Sequence, residues 1–383
     1  MAAVGLRLAI FTDTYAPQVN GVARTLERLA TAVRARGGEV RVETVADPLA
    51  GTDGSAPWIV RRPSMPFWAY PQLRMAAPSH ARVADDLAAW KPTLVHASTP
   101  FGVGIAGREA ARMLGVPFVS SYHTSFPAYL RHYRLSALNS VAWPFLRWFH
   151  NSGRRTFAPS RMVADELEEQ GFHGVRVWSR GVDPKRFDPR FRSAEMRAAM
   201  GAGPDDFVIA YVGRLAPEKG VHTAMEAMRT LMHEDTTGRV RFALAGDGPD
   251  EDKCRASAPG GAKTWFAGAL SGETLSAFYA SADAFVFPSL TETFGNVVLE
   301  AMASGLPVVA PDTGATLELA NERTALTFKG ADAGSLARQL ARLRDDPELC
   351  AKLRERGREV AASRTWDSIW DGLLTDYVAA LSP

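Results

Sequence analysis

Cysteine is scarce in this chain of 383 residues: two occur, Cys254 and Cys350, far apart and outside any metal-ligand spacing. That excludes a disulfide framework and points to a reducing compartment. Long hydrophobic runs are missing too. None approaches the roughly 20 residues that span a bilayer, and the run after Arg7 is strand-length, too short for a signal peptide. The chain is therefore expected in the cytoplasm, soluble or peripheral on the inner face of the membrane. No charge of one sign dominates, since the net charge is +2, so no nucleic-acid partner is implied. The sequence is read as lacking an Asp-x-Asp metal motif, and neither a metal nor another cofactor is expected. Acidic residues are absent from Ala110 through Ala164, a stretch that carries seven arginines. What is present is apolar material for two cores. Hydrophobic residues make up 46% of the chain, and its length exceeds what one core accommodates.

Among the segments that carry chemistry, Glu292-Thr-Phe-Gly-Asn-Val-Val-Leu-Glu300 is the most informative. The β-type run Ala284-Phe-Val-Phe287, closed by Pro288 and Ser289, precedes it. An apolar stretch, Val297 to Ala303, follows, then Gly305, Pro307 and a second β-type run, Val308-Val309-Ala310. This layout reads as strand, loop, helix, strand in an α/β sheet. After Phe294, Gly295 and Asn296 fall at the helix N-terminus, where free N–H groups and the helix dipole favour an anion. Glu292 then lies ahead of the helix and Glu300 about two turns into it. Carboxylates repel phosphate, so the pair is read as acceptors for hydroxyl groups on either side of one, the pattern of a nucleotide sugar. Two solvated glutamates flanking an ordinary helix start are the plain alternative.

A second segment, Ala210-Tyr-Val-Gly-Arg-Leu-Ala-Pro-Glu-Lys-Gly220, runs from an apolar strand into a turn carrying Arg214 and Lys219, then into a helix from Val221 to Leu231. Cations at a helix start oppose the helix dipole, and a bound anion outside the strand end accounts for them. Arg offers two donors to neighbouring oxygens, whereas Lys supplies a mobile point charge. A third segment opens the chain: a strand over Leu6–Phe11, a turn-rich loop over Thr12–Asn20, and a helix from Gly21 with Val22, Leu26, Leu29 and Val33 on one face. Asn20-Gly21 permits a sharp turn and the close approach of a ligand.

Together these segments resemble the glycosyltransferases of family 4, retaining enzymes of GT-B architecture. The matching residues are Pro17-Gln-Val-Asn-Gly-Val22, Val212-Gly-Arg-Leu-Ala-Pro-Glu-Lys-Gly220, Gly246-Asp-Gly-Pro249 and Glu292 to Glu300. Ser179-Arg-Gly-Val-Asp183 and Ala303-Ser-Gly-Leu-Pro-Val-Val309 match as well. The Tyr15-Ala-Pro-Gln-Val-Asn-Gly21 opening looks most like bacterial GDP-mannose-dependent α-mannosyltransferases and related glycolipid glycosyltransferases. The resemblance implies an α/β chain of two Rossmann-like doubly wound domains facing across a cleft. It also implies metal-independent transfer of a hexose from a nucleoside diphosphate sugar to a hydroxyl of a lipid or sugar acceptor. GDP-mannose is the preferred donor and a UDP-hexose the alternative.

The roles follow from the same resemblance. Arg214 and Lys219, with amides around Phe294, Gly295 and Asn296, would stabilise the diphosphate, and the Gly21 backbone would close over it. Glu292 would hold donor-sugar hydroxyls and Glu300 the ribose. Leu270, ending Trp265-Phe-Ala-Gly-Ala-Leu270, would meet the base. A lone histidine is more often structural; the family pattern instead puts His123, at the end of Phe118-Val-Ser-Ser-Tyr122, beside the reacting sugar. Asn20, His96, Tyr129 and Arg131 are the acceptor-side candidates.

The βα alternation sets the expected domains: 1–185, then 204–365, joined by an irregular linker over 186–203. The last helix, in 366–383, is implied by the resemblance to pack back on the first domain. Gly102-Val-Gly-Ile-Ala-Gly107 fits a dinucleotide fingerprint, which keeps an NAD-dependent oxidoreductase as an alternative. The acidic residue expected about 20 positions later is missing, however, and the glycines read as structural. A non-catalytic sugar or nucleotide binder is disfavoured by the presence of Arg214, Lys219, Glu292 and Glu300 together. The acid-free stretch interleaves Arg131, His132 and Arg134 with Tyr129 and Tyr133, and holds Phe126, Trp143, Phe145, Trp148 and Phe149 as well. Such a mixture suits an anionic membrane surface, although core packing accounts for most of these rings.

Overall fold

The structure is a computed structural model that describes residues 2–18, 20–48, 56–67, 70–123 and 139–382. The chain forms two units: Met1–Ser179 with Trp370–Pro383, and Arg180–Ile369. Strands of the first unit are β1 (Arg7–Phe11), β2 (Glu39–Val45), β3 (Ile59–Arg62), β4 (Met65–Phe67), β5 (Tyr70–Met75), β6 (Leu94–Ala97), β7 (Phe118–Ser121), β8 (Arg155–Ala158) and β9 (Val175–Val177). Its main sheet has the order β3-β2-β1-β6-β7-β8-β9, parallel throughout. β4 and β5 form a separate antiparallel pair. Leu8, Ala9, Ile10 and Phe11 of β1 are all buried. A parallel sheet covered on both faces has no polar side, hence this unbroken apolar run.

In the second unit, β10 (Phe207–Val212), β11 (Val240–Ala245), β12 (Thr264–Phe266), β13 (Ala284–Val286), β14 (Val308–Pro311) and β15 (Leu326–Phe328) make one parallel sheet. Its order is β12-β11-β10-β13-β14-β15. Alternate residues of β10 feed different cores, as the pleat requires. Val208 and Ala210 join Val298, Leu299 and Met302 on one side. Ile209 and Tyr211 join Val221, Met225 and Leu244 on the other.

Two sequence expectations change. The units part at Ser179/Arg180, ahead of the expected end at 185. Residues 186–203 are not a linker but part of the second unit. Within them Arg197 is buried, and its guanidinium donates to Asp206 O (2.7 Å), Gly203 O (2.8 Å), Asp283 Oδ2 (2.9 Å) and Ser281 O (3.0 Å). The segment reads as irregular in sequence, yet these four bonds order it. At the chain's other end, helix Trp366–Leu381 buries Trp370, Leu373, Leu374 and Tyr377, and Arg154 Nη1 donates to Ala380 O at 2.9 Å.

The glycine loop of the first unit carries no dinucleotide site. Helix Gly102–Leu114 has its N-terminus filled by the chain's own carboxylate. Asp13, buried, accepts from Val103 N (3.1 Å) and from the Thr99 hydroxyl (2.6 Å). A bound anion would have to compete there with a carboxylate already in place. The glycines serve close packing: a Cβ at Gly102 would collide with Ala76 O, at Gly104 with Thr99 O, and at Gly107 with the Phe11 ring.

Two imidazoles lie in the first core. His96 on β6 and His150, ending helix Asn139–His150, are fully buried, and burial lowers both pKa values from 6.5 to about 3.

Two outcomes follow from this packing. Gly104→Ala forces a methyl against a backbone carbonyl and is expected to cost about 3 kcal/mol, read from the urea midpoint; an unchanged midpoint would refute the packing role. For the histidines, the folded pKa lies below the unfolded one, so the unfolded chain binds more protons between about 6.5 and about 3. Stability is therefore full above that window and falls as pH drops through it, by roughly 1.4 kcal/mol per pH unit for each imidazole. Urea unfolding at about pH 7.5 and about pH 5 should show that loss, and His150→Gln should reduce it. A flat profile would mean that the rings ionise in the folded state.

Candidate functional site

Because all six strands of the second sheet run parallel, every loop that follows a strand emerges on one edge. That edge collects the loop after β10 with Arg214 and Lys219, Gly246-Asp-Gly-Pro249 after β11, Gly268 to Leu270 after β12, and Glu292 to Asn296 after β13. Ligands of open α/β sheets bind at this carboxyl edge.

The loops are tied to each other. Leu215 N donates to Asp247 O (2.8 Å) and Asp250 N to Leu215 O (2.9 Å), clamping the β10 loop on the β11 loop. Gly246 N donates to Gly268 O at 2.8 Å, which brings in the segment of Leu270. Leu270 itself is half-buried against the core beside Trp265. Thr291 Oγ1 (3.1 Å) and Ser289 Oγ (3.3 Å) both donate to Glu218 O, joining the β13 loop to the β10 loop. Gly220 sits at φ +67°, and a Cβ there would strike Pro288 O; the left-handed backbone and the tight approach both require glycine.

This stitching brings two distant motifs into contact. Lys219 Nζ donates to Glu292 Oε1 in an ion pair whose members are each 27% exposed. Arg214 is exposed, and among the described residues no hydrogen bond or ion pair engages its guanidinium. Its backbone is held by the Tyr211 hydroxyl, which donates to Arg214 O at 2.9 Å. The site thus presents one uncommitted cation and one cation shared with a carboxylate.

Helix Asn296–Ala303 starts from Gly295 at φ +95°, with no side-chain cap and no acidic residue in its first turn. A Cβ on Gly295 would come within 2.6 Å of Thr316 Cγ2. Phe294 is buried in the core and fixes the approach, whereas Asn296 is exposed. Glu300, half-buried, accepts a hydrogen bond from the Tyr279 hydroxyl at 3.1 Å. Burial and the Glu300 charge hold that hydroxyl well above the usual tyrosine pKa, so Tyr279 acts purely as a donor that orients Glu300. Tyr279 lies in helix Gly272–Ser281, and nothing in its sequence position distinguished it from a core aromatic.

The Asp-x-Asp spacing does occur, as Asp250-Glu251-Asp252, which corrects the sequence reading. Asp250 is committed to His222 Nε2 and Lys253 Nζ, each at 2.8 Å. No group of three or more His, Cys, Asp or Glu side chains that could hold a metal ion occurs among the described residues.

In the first unit, His123 follows β7, half-buried, with its ring edge-on to Trp178 at 5.5 Å and Nε2 2.8 Å from Ser121 Oγ. His96 cannot meet an acceptor. It is completely buried, with Nδ1 2.6 Å from the Tyr377 hydroxyl and Nε2 2.9 Å from Ser121 Oγ. Asn20 is likewise committed: it caps helix Gly21–Ala35 by accepting from Ala23 N (2.9 Å) and donates to Thr14 Oγ1 (2.7 Å). Gly21 is exposed, with open space where a Cβ would stand. Tyr129 and Arg131, with Phe126, His132, Tyr133 and Arg134, lie outside the described residues. Of the remaining aromatics in the acid-free stretch, Phe149 is buried, and Trp143 and Phe145 pack on the core. Trp148 stays 47% exposed under the Arg108 guanidinium, 4.0 Å from its ring. No helix among the described residues is long and apolar enough to cross a membrane.

Comparison with known proteins agrees with this geometry. A family model described as "Glycosyltransferase Family 4" matches residues 19–186, and one described as "Glycosyl transferases group 1" matches 193–360. The chain is 34% identical to "Sulfoquinovosyl transferase SQD2" of Arabidopsis thaliana, over 94% of this chain and 71% of that protein. It is also 34% identical to a "GDP-mannose-dependent alpha-mannosyltransferase" of Mycobacterium tuberculosis, over 98% of this chain and 97% of that one. Among solved structures, Anabaena Alr3699/HepE in complex with UDP superposes with a TM-score of 0.78 at 20% identity, over 98% of this chain and all of the other, a likeness of fold. Two Rossmann-like parallel sheets, the loops at the carboxyl edge of the second and these relatives together place the chain in glycosyltransferase family 4, with the GT-B fold.

Proposed function

We propose that this glycosyltransferase moves mannose from GDP-mannose to a hydroxyl of a lipid or sugar acceptor, with retention at the anomeric carbon and without a metal ion. The observation that carries the reading is the Lys219–Glu292 pair beside the unengaged Arg214 and the uncapped helix at Gly295. Diphosphate is the ligand that such an edge lacks. Arg214 and the helix N-terminus attract it, and Lys219 exchanges its carboxylate for a phosphate oxygen. That exchange releases Glu292 to accept from hydroxyls of the donor sugar. Glu300, aimed by Tyr279, accepts from the ribose.

Chemistry then needs charge stabilisation more than a nucleophile. As the bond from the anomeric carbon to the diphosphate oxygen breaks, negative charge grows on the leaving group, where Arg214 and Lys219 offset it. The acceptor oxygen bonds the same face of the anomeric carbon, and its proton passes to the departing diphosphate. His123 hydrogen-bonds a sugar hydroxyl. GDP-mannose is preferred because the mycobacterial relative carries that name over nearly its whole length. A UDP-hexose is the second reading, favoured by the fold neighbour that holds UDP. The arginine-rich, acid-free stretch supports a lipid acceptor at the inner face of the membrane.

Arg214→Ala and Lys219→Ala are each expected to lower kcat by about 10²-fold, the scale of losing one charge-stabilising donor. Glu300→Ala is expected to act mainly through KM for the donor. Release of the nucleoside diphosphate from each variant measures this. Near-normal turnover in both cation variants would reject the assignment.

A further inference from the structure

A row of four side chains runs through the first unit from the C-terminal helix to the β7 edge. Tyr377 OH lies 2.6 Å from His96 Nδ1, His96 Nε2 lies 2.9 Å from Ser121 Oγ, and Ser121 Oγ lies 2.8 Å from His123 Nε2. Tyr377, His96 and Ser121 are all buried. A row of hydrogen bonds has two directions, and chemistry at its buried end selects one. Among the described residues the Tyr377 hydroxyl has no acceptor other than His96 Nδ1. Pointed elsewhere, its proton would be a buried, unsatisfied donor, a loss that shifts an equilibrium by roughly tenfold or more. The hydroxyl therefore donates to Nδ1. His96 is neutral in this surrounding, its pKa lowered by burial to about 3, so its one N–H is on Nε2 and donates to Ser121 Oγ. Ser121, having received that proton, has its own left for His123 Nε2.

We infer that Tyr377, His96 and Ser121 are positioning residues that hold neutral His123 in one tautomer, with Nε2 an acceptor and the proton on Nδ1. Which ring nitrogen carries the proton is set by the bond that the other makes; here that bond is set three residues away, on the helix that ends the chain. The consequence rests on the proposed role of His123. The ring meets a sugar as a donor through Nδ1–H, and Tyr377 commits it to that direction from the core. This gives the buried His96, unsuited to acceptor contact, a place in the reaction through another group. It also gives the return of Trp370–Pro383 to the first unit a purpose beyond packing.

The test is independent of activity. In the full-length, uniformly ¹⁵N-labelled protein without substrate, at about pH 8 where a free imidazole is neutral, long-range ¹H–¹⁵N correlation spectra report the tautomer of each histidine. The His123 signals are assigned by their loss in His123→Asn. Wild type is expected to show His123 protonated on Nδ1. Tyr377→Phe keeps the ring and its packing, and is expected to move the population at least tenfold towards Nε2–H, as is Ser121→Ala, which cuts the row elsewhere. His123 protonated on Nε2 in wild type, or an unmoved population in both variants, would overturn the inference. Donor kinetics separate it from the functional reading. If the tautomer moves and kcat falls with KM little changed, both stand. If the tautomer moves and turnover does not, the relay stands and the role given to His123 fails.

Discussion

Strand direction is the constraint on which this protein rests. In each main sheet every strand runs parallel to its neighbours, so a helix must return the chain after almost every strand and all loops after strands leave on one edge. The second sheet uses this to collect the loop of Arg214 and Lys219 and the segment from Glu292 to Glu300, more than 70 residues apart in the chain. Lys219 and Glu292 belong to loops after β10 and β13, which are adjacent in the sheet order although β11 and β12 intervene in the chain. The ion pair between them is a consequence of that topology. Under the proposed function, that pair is what a diphosphate would exchange with, the carboxylate keeping the lysine in place until then.

The first unit treats its polar groups differently. Asp13 fills a helix start with the chain's own carboxylate, Asn20 caps another helix, and His96 and His150 lie neutral in the core. Asp13, Asn20 and His96 find their hydrogen-bond partners within the unit, so each has a structural role whatever else it does. His123 is different because it stands where the buried row reaches the carboxyl edge.

Most of the fold was legible in the sequence because central parallel strands are continuous apolar runs. The runs Leu6–Phe11, Ala284–Phe287 and Val308–Ala310 match the observed strands Arg7–Phe11, Ala284–Val286 and Val308–Pro311 to within one residue at each end. β3, β12 and β15 were not legible. They are edge strands of three or four residues, and Ile-Val-Arg-Arg or Thr-Trp-Phe carries no pattern that separates it from loop. The placement of the Arg214–Lys219 and Glu292–Asn296 loops at the sheet edge was legible for a local reason: glycine, lysine and glutamate at a strand-to-helix junction leave a local signature. Tyr279, Ser121 and Tyr377 were not, since each looks like core filling and acquires a role only from a partner far along the chain. The Gly102 to Gly107 loop shows the reverse, a motif legible in sequence whose glycines serve backbone packing.

The central claim is that the carboxyl edge of the second sheet binds a nucleoside diphosphate through Arg214, Lys219 and Glu300. Isothermal titration calorimetry in the presence of a chelator tests it most directly, with GDP, GDP-mannose, UDP and UDP-glucose added to wild type, Lys219→Ala and Glu300→Ala. Binding of GDP and GDP-mannose to wild type, weakened at least tenfold in both variants, is the expected result, and tighter UDP binding would transfer the donor to the second reading. Absence of any nucleoside diphosphate binding to folded wild type, or equal affinity in all three proteins, would contradict the account.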